Sequence, residues 1–400
     1  MPTTTDFLVI GAGVIGLNVA RDLNRRFKDS SVTLIDKETT FGLHASGRNS
    51  GVLHAGFYYT PDSLKARLTK TGNRELTVYC ESKRLSINRC GKLVVARDSQ
   101  DLVSMGELLA RGRANGIALE EITADQALQI EPRVKTYERA LFSPTTSTVD
   151  PNRVLASMFE DAKNEGVILK FDVAYRHRLK TSVVTSAGNY DAGYVVNAAG
   201  LYADVVARDF GFSQRYRILP FKGLYLYSDE PEGAFNTNIY PVPNLQNPFL
   251  GVHLTVDVYG RSKIGPTAIP AFWREQYGGF SNFSGSELAD LIARQISLFG
   301  GAGFDFKRLA LQEIKKYSRS HLVKLATNLV NGLDSEKFRR WGRSGIRAQL
   351  VDIQQKKLEM DFVVEGNKNS MHILNAVSPG FTCAIPFSEY VGGKIAQVLG

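Results

Sequence analysis

The chain has 400 residues, of which 43% are hydrophobic and 22% charged, so it is long enough for two or more domains with sizeable cores. Its net charge is +9, and it contains no apolar run of the roughly eighteen residues that a membrane-spanning helix needs. Three scattered cysteines exclude a disulfide framework, six histidines without ligand spacing predict no metal, and an N-terminus without signal features predicts a cytoplasmic protein.

The first predicted elements are a strand, a glycine turn, a helix and a second strand that ends at an acid. They comprise residues 7–10, Gly11, Gly13, Gly16, a helix through Leu23, residues 32–35 and Asp36. Gly11 permits the tight turn, Gly13 lets the backbone approach a pyrophosphate, and Gly16 lets the helix pack closely on the sheet. The helix dipole favours phosphate, and Asp36 is placed to accept hydrogen bonds from an adenosine ribose. The pattern predicts a dinucleotide site and leaves open whether the ligand is NAD or FAD.

Residues 41–56 are rich in glycine and polar side chains, which disfavours both a strand core and a helix interior. A long irregular stretch beside a nucleotide site is typical of a binding loop. Arg48, Asn49 and Ser50 offer hydrogen-bond donors there, and the small residues let backbone amides reach a ligand. We therefore predict a second cofactor contact in this loop.

The middle of the chain is predicted to alternate helices and strands. The helices are predicted at 63–81, 102–115, 123–130, 151–165 and 202–210, and the strands at 91–96, 168–173, 181–186 and 190–197. Asp150 and Pro151 suit the cap and the first position of one of these helices. The last strand opens onto the small residues 198–200, which repeats the turn at the N-terminus and predicts another close approach of the backbone to a ligand.

From residue 216 to residue 266, short β-branched and aromatic runs separated by Pro, Gly and Asn predict an antiparallel sheet. The remaining predicted elements are helices at 287–299 and 306–333, strands at 361–365 and 371–375, a loop at 376–383 and a helix at 388–399. Residues 307–347 carry eleven basic and three acidic side chains, so this segment alone has a charge of +8. An anionic lipid surface, an acidic substrate or a solvated helical face would each account for the charge. Nucleic acid is not expected, since no binding motif accompanies it.

Several motifs spread along the chain carry a family resemblance. They are residues 46–56, 58–61, 64–68, 248–254, 265–266, 345–349, 378–379 and 384–386. Together they resemble the FAD-dependent oxidoreductases of the D-amino-acid-oxidase superfamily, and within it the L-2-hydroxyglutarate oxidases and dehydrogenases. The resemblance covers essentially the whole chain and implies one FAD, bound in an extended conformation.

The fold that the resemblance implies is α/β. A discontinuous Rossmann-like FAD-binding domain is expected at residues 1–84, 145–215 and 340–400. An inserted α+β substrate-binding domain, built on an antiparallel sheet, is expected at residues 85–144 and 216–339. At residue 216 the sequence changes to short β-branched and aromatic runs separated by Pro, Gly and Asn, and this change agrees with such an insertion.

The resemblance also implies where FAD is bound. The adenosine is expected on residues 11–36 and the isoalloxazine near the 46–56 loop. Val173 corresponds to a strand backbone that meets the adenine, and residues 380–382 correspond to a loop whose amides face the flavin pyrimidine. The full set of expected cofactor contacts is Gly11, Gly13, Gly16, Asp36, Lys37, Ser46, Arg48, Asn49, Ser50, Gly51, Val173, Ala199, Gly200, Gly380, Phe381 and Thr382.

Oxidation of a 2-hydroxy acid needs a cation for the carboxylate, a base for the hydroxyl proton and a cofactor that accepts the hydride. Arg347 corresponds to the carboxylate-binding arginine of the superfamily, and arginine forms planar bidentate pairs with carboxylates. His54 and His253 both remain candidates for the base, because histidine titrates near neutral pH.

A dicarboxylate substrate would need a second cation. Lys222 and Arg67 are the candidates, and Tyr58 is a candidate wall of the substrate pocket. Lys222 stands where the family has an arginine, and a lysine cannot form the bidentate fork.

The activity that the resemblance implies is FAD-dependent oxidation of L-2-hydroxyglutarate to 2-oxoglutarate, with the electrons passed to quinone or oxygen. The alternatives are an amino-acid or glycerol-3-phosphate dehydrogenase of the same superfamily and a non-catalytic, membrane-associated flavin-binding protein. Apolar residues between 322 and 333 alternate with the late basic residues, which suggests a peripheral surface on the inner face of the cytoplasmic membrane. The sequence does not predict an oligomeric state.

Overall fold

The computed structural model describes residues 2–245, 249–299 and 306–400. Pro248, the first residue of the 248–254 motif, lies outside the described residues. The chain divides into two compact units, which we call unit 1 and unit 2. Unit 1 comprises Met1–Asn49, Pro151–Pro220 and Arg347–Gly400, and unit 2 comprises Ser50–Asp150 and Phe221–Ile346. The domain boundaries given above, which the family resemblance implies, stay a prediction.

The described residues fold into strands and α-helices joined by loops and short 3-10 turns. The strands are β1 (Thr3–Ile10), β2 (Val32–Ile35), β3 (Val52–Leu53), β4 (Ile87–Asn88), β5 (Lys92–Val95), β6 (Glu120–Thr123), β7 (Arg139–Ser143), β8 (Ser147–Val149), β9 (Ile168–Lys170), β10 (Tyr175–Leu179), β11 (Ser182–Thr185), β12 (Gly188–Asn197), β13 (Tyr216–Gly223), β14 (Leu226–Tyr227), β15 (Asn238–Pro241), β16 (His253–Val256), β17 (Ser262–Gly265), β18 (Ile269–Pro270), β19 (Arg340–Trp341), β20 (Gly345–Asp352), β21 (Lys357–Leu358), β22 (Val364–Gly366) and β23 (Ser370–Ile373). The helices are α1 (Val14–Arg26), α2 (Leu64–Ser82), α3 (Ser99–Ala114), α4 (Ala124–Ile130), α5 (Pro151–Asn164), α6 (Ala203–Asp209), α7 (Gly285–Phe299), α8 (Phe306–Ile314), α9 (Arg319–Ala326) and α10 (Ala384–Leu399).

Unit 1 is built on a mostly parallel sheet. Strands β9, β2, β1, β12 and β23 pair in parallel in that order, and β10, β11 and β22 add antiparallel strands at the edges. The buried run of β2 and the buried end of β1 explain the pairing, since a parallel sheet is covered on both faces. Helix α1 packs against α5 and α10. The Rossmann-like α/β fold predicted for the cofactor domain is confirmed.

Unit 2 contains an eight-stranded sheet with the order β19-β14-β17-β16-β15-β5-β7-β6. Its pairs are antiparallel except for β5 and β15, which run parallel. The antiparallel sheet predicted for residues 216–266 is found in the pairs of β14 to β17, and the parallel partner β5 comes from a distant part of the chain. A smaller sheet joins β3, β8 and β4.

The side chains of β5 alternate between two cores of unit 2. Leu93 and Val95 belong to a cluster that includes residues of β16 and α9. Val94, one position away, belongs to a second cluster with Phe57, Tyr58 and residues of α3. Because successive strand residues point to opposite faces, Lys92 shares the face of Val94.

Most predicted elements exist with shifted ends. The strand predicted at 168–173 ends at Lys170, and the helix predicted to start at residue 388 begins at Ala384. Strand β10 was not predicted, since its sequence is mainly polar and exposed.

The helical segment predicted at 306–333 ends early, at Ala326. It is divided into α8, a short 3-10 turn and α9, and the Ser318 side chain caps α9 by accepting from the His321 backbone N–H. Leu322, Val323 and Leu329 are buried in the core of unit 2. These apolar residues therefore do not form the exposed face on which the membrane-surface hypothesis rested.

Candidate active site

The glycine turn between β1 and α1 is as tight as its sequence predicts. Gly11 has φ +109°, a conformation that side chains disfavour, and a Cβ there would lie 2.5 Å from the carbonyl oxygen of Ala198. A Cβ at Gly16 would overlap the carbonyl oxygen of Gly11. Gly13 is the N-cap of α1 and lacks a side-chain cap, so the first N–H groups of the helix face the turn.

Asp36 is fixed above this turn by backbone donors. Its carboxylate accepts from the N–H of Ala12 at 2.6 Å and from the N–H of Glu38 at 2.9 Å. Burial raises the pKa of this carboxyl, and the two hydrogen bonds oppose that shift. A carboxylate has about four lone-pair positions, so acceptor capacity remains for the hydroxyls of a ribose.

The loop after β2 reaches the helix N-terminus through Ser46. The Ser46 hydroxyl accepts from the Val14 N–H at 2.9 Å, at the positive end of the helix dipole. Arg48 donates to the carbonyl of Leu43 at 2.6 Å, and Asn49 donates to the carbonyl of Ser46 at 2.7 Å. These two side chains hold the loop in shape as well as being expected donors to a cofactor.

The second small-residue turn lies directly beside the first. Parallel pairing sets Ile10 next to Asn197, and the Ala198 N–H donates to the Ile10 carbonyl at 2.9 Å. Ala199 follows, and a Cβ at Gly200 would meet open space. Val173 lies beyond the end of its strand, but its N–H donates to the Asp36 carbonyl at 2.9 Å, so it stays near the acid.

Lys37 and residues 380–382 are the remaining expected FAD contacts of unit 1. Lys37 is exposed, pairs with Glu38 and lies 5.8 Å from the ring centroid of Tyr202. Residues 380–382 precede α10, which packs on α1 and whose Ser388 hydroxyl donates to the Ile15 carbonyl at 3.3 Å. Thr382 is buried and Phe381 half-buried.

Unit 1 therefore brings Gly11, Gly13, Gly16, Asp36, Ser46, Ala199 and Gly200 together at the carboxyl ends of parallel strands. Adjoining parallel strands of an α/β sheet form their ligand crevice at this edge. The helix start, where Gly13 provides no side-chain cap, suits a pyrophosphate, the acid suits a ribose, and the open space at Gly200 leaves room for the ligand. These residues fit the adenosine diphosphate part of FAD.

The loop continues into unit 2 with Ser50 and Gly51. The Ser50 carbonyl accepts from the Lys263 ammonium at 3.1 Å, and the Gly51 carbonyl accepts from the Val149 N–H at 2.9 Å. Lys263 lies over the Tyr225 ring, and burial lowers its pKa to about 8. A buried cation is thus bonded to the backbone of the predicted binding loop.

Both candidate histidines are buried in unit 2. His253 begins β16 with its Nδ1 3.0 Å from the Gly251 carbonyl, so this nitrogen carries the proton and Nε2 is left as the acceptor. Burial lowers the pKa of His253 well below its usual value, and Lys92, His54 and Lys263 lower it further. The imidazole is therefore neutral near pH 7, with Nε2 as its acceptor atom.

Lys92 was not predicted to belong to the site. Its side chain is completely buried, with its Nζ at 4.6 Å from the ring centroids of Phe57 and Tyr58 and 4.8 Å from that of Tyr240. Tyr240 in turn stacks on His253 at 3.6 Å between centroids. Burial lowers the pKa of Lys92 to about 7. The signal was a lone lysine opening a strand that is otherwise apolar.

Several buried hydroxyls of unit 2 also lack a hydrogen-bond partner among the described residues. Among them are the phenol of Tyr58 and the hydroxyl of Ser147, which lies on β8 opposite Leu53. Buried polar groups are normally hydrogen-bonded, so such groups are expected where a bound molecule supplies the partner. Tyr58 thus remains a candidate substrate contact.

The three predicted cations differ in exposure. Arg347 is half-buried on β20 in unit 1. Lys222 is buried on β13 in unit 2, and burial lowers its pKa. Arg67 is exposed on α2, whereas Lys65, two residues earlier, is buried. Exposure makes Arg67 the weakest of the three candidates.

The glycine turn, the acid and the discontinuous parallel sheet define a dinucleotide-binding oxidoreductase. Residues 6–392 match the family described as DAO, FAD dependent oxidoreductase, and the chain belongs to this family. It is accordingly an FAD-dependent enzyme, and FAD is its cofactor.

The chain is also similar to individual proteins of known activity or structure. The chain is 32% identical to the L-2-hydroxyglutarate dehydrogenase of Escherichia coli strain K12, covering 98% of this chain and 94% of that protein. It is 33% identical to the mitochondrial L-2-hydroxyglutarate dehydrogenase of Homo sapiens, covering 98% and 89%. Among solved structures, the FAD-bound L-alpha-glycerophosphate oxidase of Mycoplasma pneumoniae has a TM-score of 0.76 at 21% identity, covering 99% and 94%, which shows a shared fold.

Proposed function

We propose that the protein oxidises L-2-hydroxyglutarate to 2-oxoglutarate. The similarity to L-2-hydroxyglutarate dehydrogenases over nearly the whole chain supports this substrate. The observation in the structure that supports the proposal is the buried His253, whose Nδ1 donates to the Gly251 carbonyl so that Nε2 remains as the proton acceptor. When bound, FAD would accept the hydride from the substrate Cα.

FAD would accept the hydride, whereas a side chain of the protein must accept the proton of the substrate hydroxyl. His253 takes this proton on Nε2, because Nδ1 is already a donor to the Gly251 carbonyl. His54 is buried nearby and lowers the pKa of His253. We therefore assign His253 as the base and His54 as a neighbour that helps to keep it neutral.

The two carboxylates of the substrate need cations. Arg347 supplies the planar guanidinium for the carboxylate beside the reacting carbon, as the family resemblance implies. Lys222 is the better candidate for the distant carboxylate, because it is buried whereas Arg67 is exposed. A buried ammonium is costly to desolvate, and a substrate carboxylate would offset that cost.

The electrons leave for quinone or oxygen. Among the described residues, no helix is both long and apolar enough to cross a bilayer. Contact with a membrane quinone would then be peripheral and would depend on exposed basic residues such as Lys307, Lys324 and Arg340.

Anaerobic reduction of the bound flavin tests the proposed substrate. We expect L-2-hydroxyglutarate to bleach the flavin absorbance, whereas D-2-hydroxyglutarate, glycerol 3-phosphate and amino acids leave it unchanged. Failure of L-2-hydroxyglutarate to reduce the flavin would overturn the proposal. Reduction by glycerol 3-phosphate or an amino acid instead would identify one of the alternative dehydrogenases.

A further inference from the structure

A lysine, a tyrosine and a histidine lie side by side on one face of the large sheet of unit 2. The strand order places β15 between β16 and β5. Pairing of Ile239 with Leu254 sets Tyr240 opposite His253, and pairing of Asn238 with Lys92 sets the lysine one diagonal step from Tyr240. Tyr240 therefore contacts both the imidazole and the ammonium.

The ammonium group of Lys92 is surrounded by aromatic rings. Its Nζ has no hydrogen-bond partner among the described residues, and three aromatic rings surround it within 4.8 Å of their centroids. The negative ring faces attract a cation, but they cannot neutralise it as a carboxylate would. The field of the ammonium therefore extends to neighbouring groups across a medium of low dielectric constant.

We propose that Lys92 is a positioning residue of the active site, whose positive charge, acting beside Tyr240, adds to burial in keeping His253 in the neutral form that accepts the substrate proton. This inference rests on the proposed function, since it concerns the base assigned there. It extends that function to a residue outside the expected catalytic set.

The other charges that act on His253 lower its pKa as Lys92 does, whereas the hydrogen bond to the Gly251 carbonyl raises it. His54 and Lys263 also oppose its protonation. Asp257 and Asp150 act on Lys263, and Cys90, Tyr59 and Tyr225 influence Tyr240. Tyr58 contacts Lys92 through its ring.

The pH range of the effect follows from the lysine itself. Burial lowers the pKa of Lys92 to about 7, so the side chain is cationic below neutrality, where an ordinary histidine would become protonated. The charge is thus present in the range in which it is needed to keep His253 neutral.

Lys92→Met tests the proposal, with histidine titration as the first readout. The FAD-loaded protein, labelled at histidine Cε1, is followed by NMR from the lowest pH at which it stays folded up to about pH 9, and the His253 signal is assigned by its loss in His253→Asn. We expect the His253 pKa to rise by about one unit in Lys92→Met. The acid limb of the kcat/KM profile should rise equally, which is about a tenfold loss well below that limb.

Two further variants serve as controls. Lys92→Arg keeps the charge and should keep the wild-type titration and acid limb. Lys83→Met removes an exposed lysine whose Nζ lies 5.8 Å from the Tyr79 ring, and it should change neither readout.

An unmoved His253 titration in folded Lys92→Met would overturn the inference. If that variant does not fold, the wild type decides, because a His253 that titrates near the ordinary value of about 6.5 would overturn it as well. The NMR readout does not depend on turnover, so a moved pKa in a protein that does not oxidise L-2-hydroxyglutarate would refute the proposed substrate and leave the role of Lys92 intact.

Discussion

The predicted FAD crevice of unit 1 and the histidine site of unit 2 consist of different kinds of chemical group. The crevice consists of backbone groups and small residues, with Gly11, Gly16 and Gly200 leaving space and Asp36 held by N–H groups. The site of unit 2 consists of large buried side chains, among them Lys92, Tyr240 and His253. The first is suited to recognise a ligand through shape and helix dipole, and the second is suited to control proton affinity through burial and charge.

Gly16→Val should give the largest effect and is confined to the crevice. Its side chain would overlap the Gly11 carbonyl and separate α1 from β1, so we expect protein without bound FAD. The ratio of flavin to protein absorbance measures this loss. Gly106→Ala is the control, because a Cβ there meets no atom within 4 Å and alanine favours a helix. A Gly16→Val protein that retains its full FAD content would show that the close packing is not required.

His253→Asn should affect the second region and leave the first intact. We expect kcat to fall by about 10²- to 10⁴-fold, the usual contribution of general base catalysis, with FAD still bound. Stopped-flow flavin reduction measures the rate. His372→Asn is the matched control, since His372 is another buried histidine but lies in the core of unit 1. Unchanged turnover in His253→Asn would remove His253 from the mechanism.

The smallest expected effect is on the pH dependence of the free energy of unfolding, to which His372 and His253 both contribute. Burial between Phe210 and Phe212 lowers the pKa of His372 to about 3. The unfolded chain then binds more protons below about pH 6.5, so the free energy of unfolding should fall by about 1.4 kcal/mol per pH unit as the pH is lowered.

Urea unfolding between about pH 6.5 and 5 measures this slope. In His372→Asn the part due to His372 should disappear, while the part due to His253, which has the same sign, should remain. An unchanged slope would show that His372 is protonated in the folded protein.

The sequence predicted the crevice well because its signals are local. Residues 7 to 36 contain a strand, a glycine turn, a helix and an acid in order, and β1, α1 and β2 confirm this arrangement. The expected cofactor residues Ser46 and Ala199 also lie at this turn. The cofactor and the family followed from the same kind of pattern.

Sequence alone did not predict the end of the helix at 306–333 or the core position of Leu322. Apolar and basic residues alternate there in a manner that fits both a membrane surface and a buried helix. Packing against the large sheet decided the matter, because burial in the core removes these side chains from water.

By itself the sequence determined the dinucleotide turn, its acid and the oxidoreductase family, since each depends on residues at fixed spacing along the chain. Only the tertiary structure identified Lys92 as a neighbour of Tyr240 and His253. Those three residues are brought together by strand pairing between distant segments. The protonation of His253 then depends on burial and on charges that are close in space and far apart in sequence, which no local pattern contains.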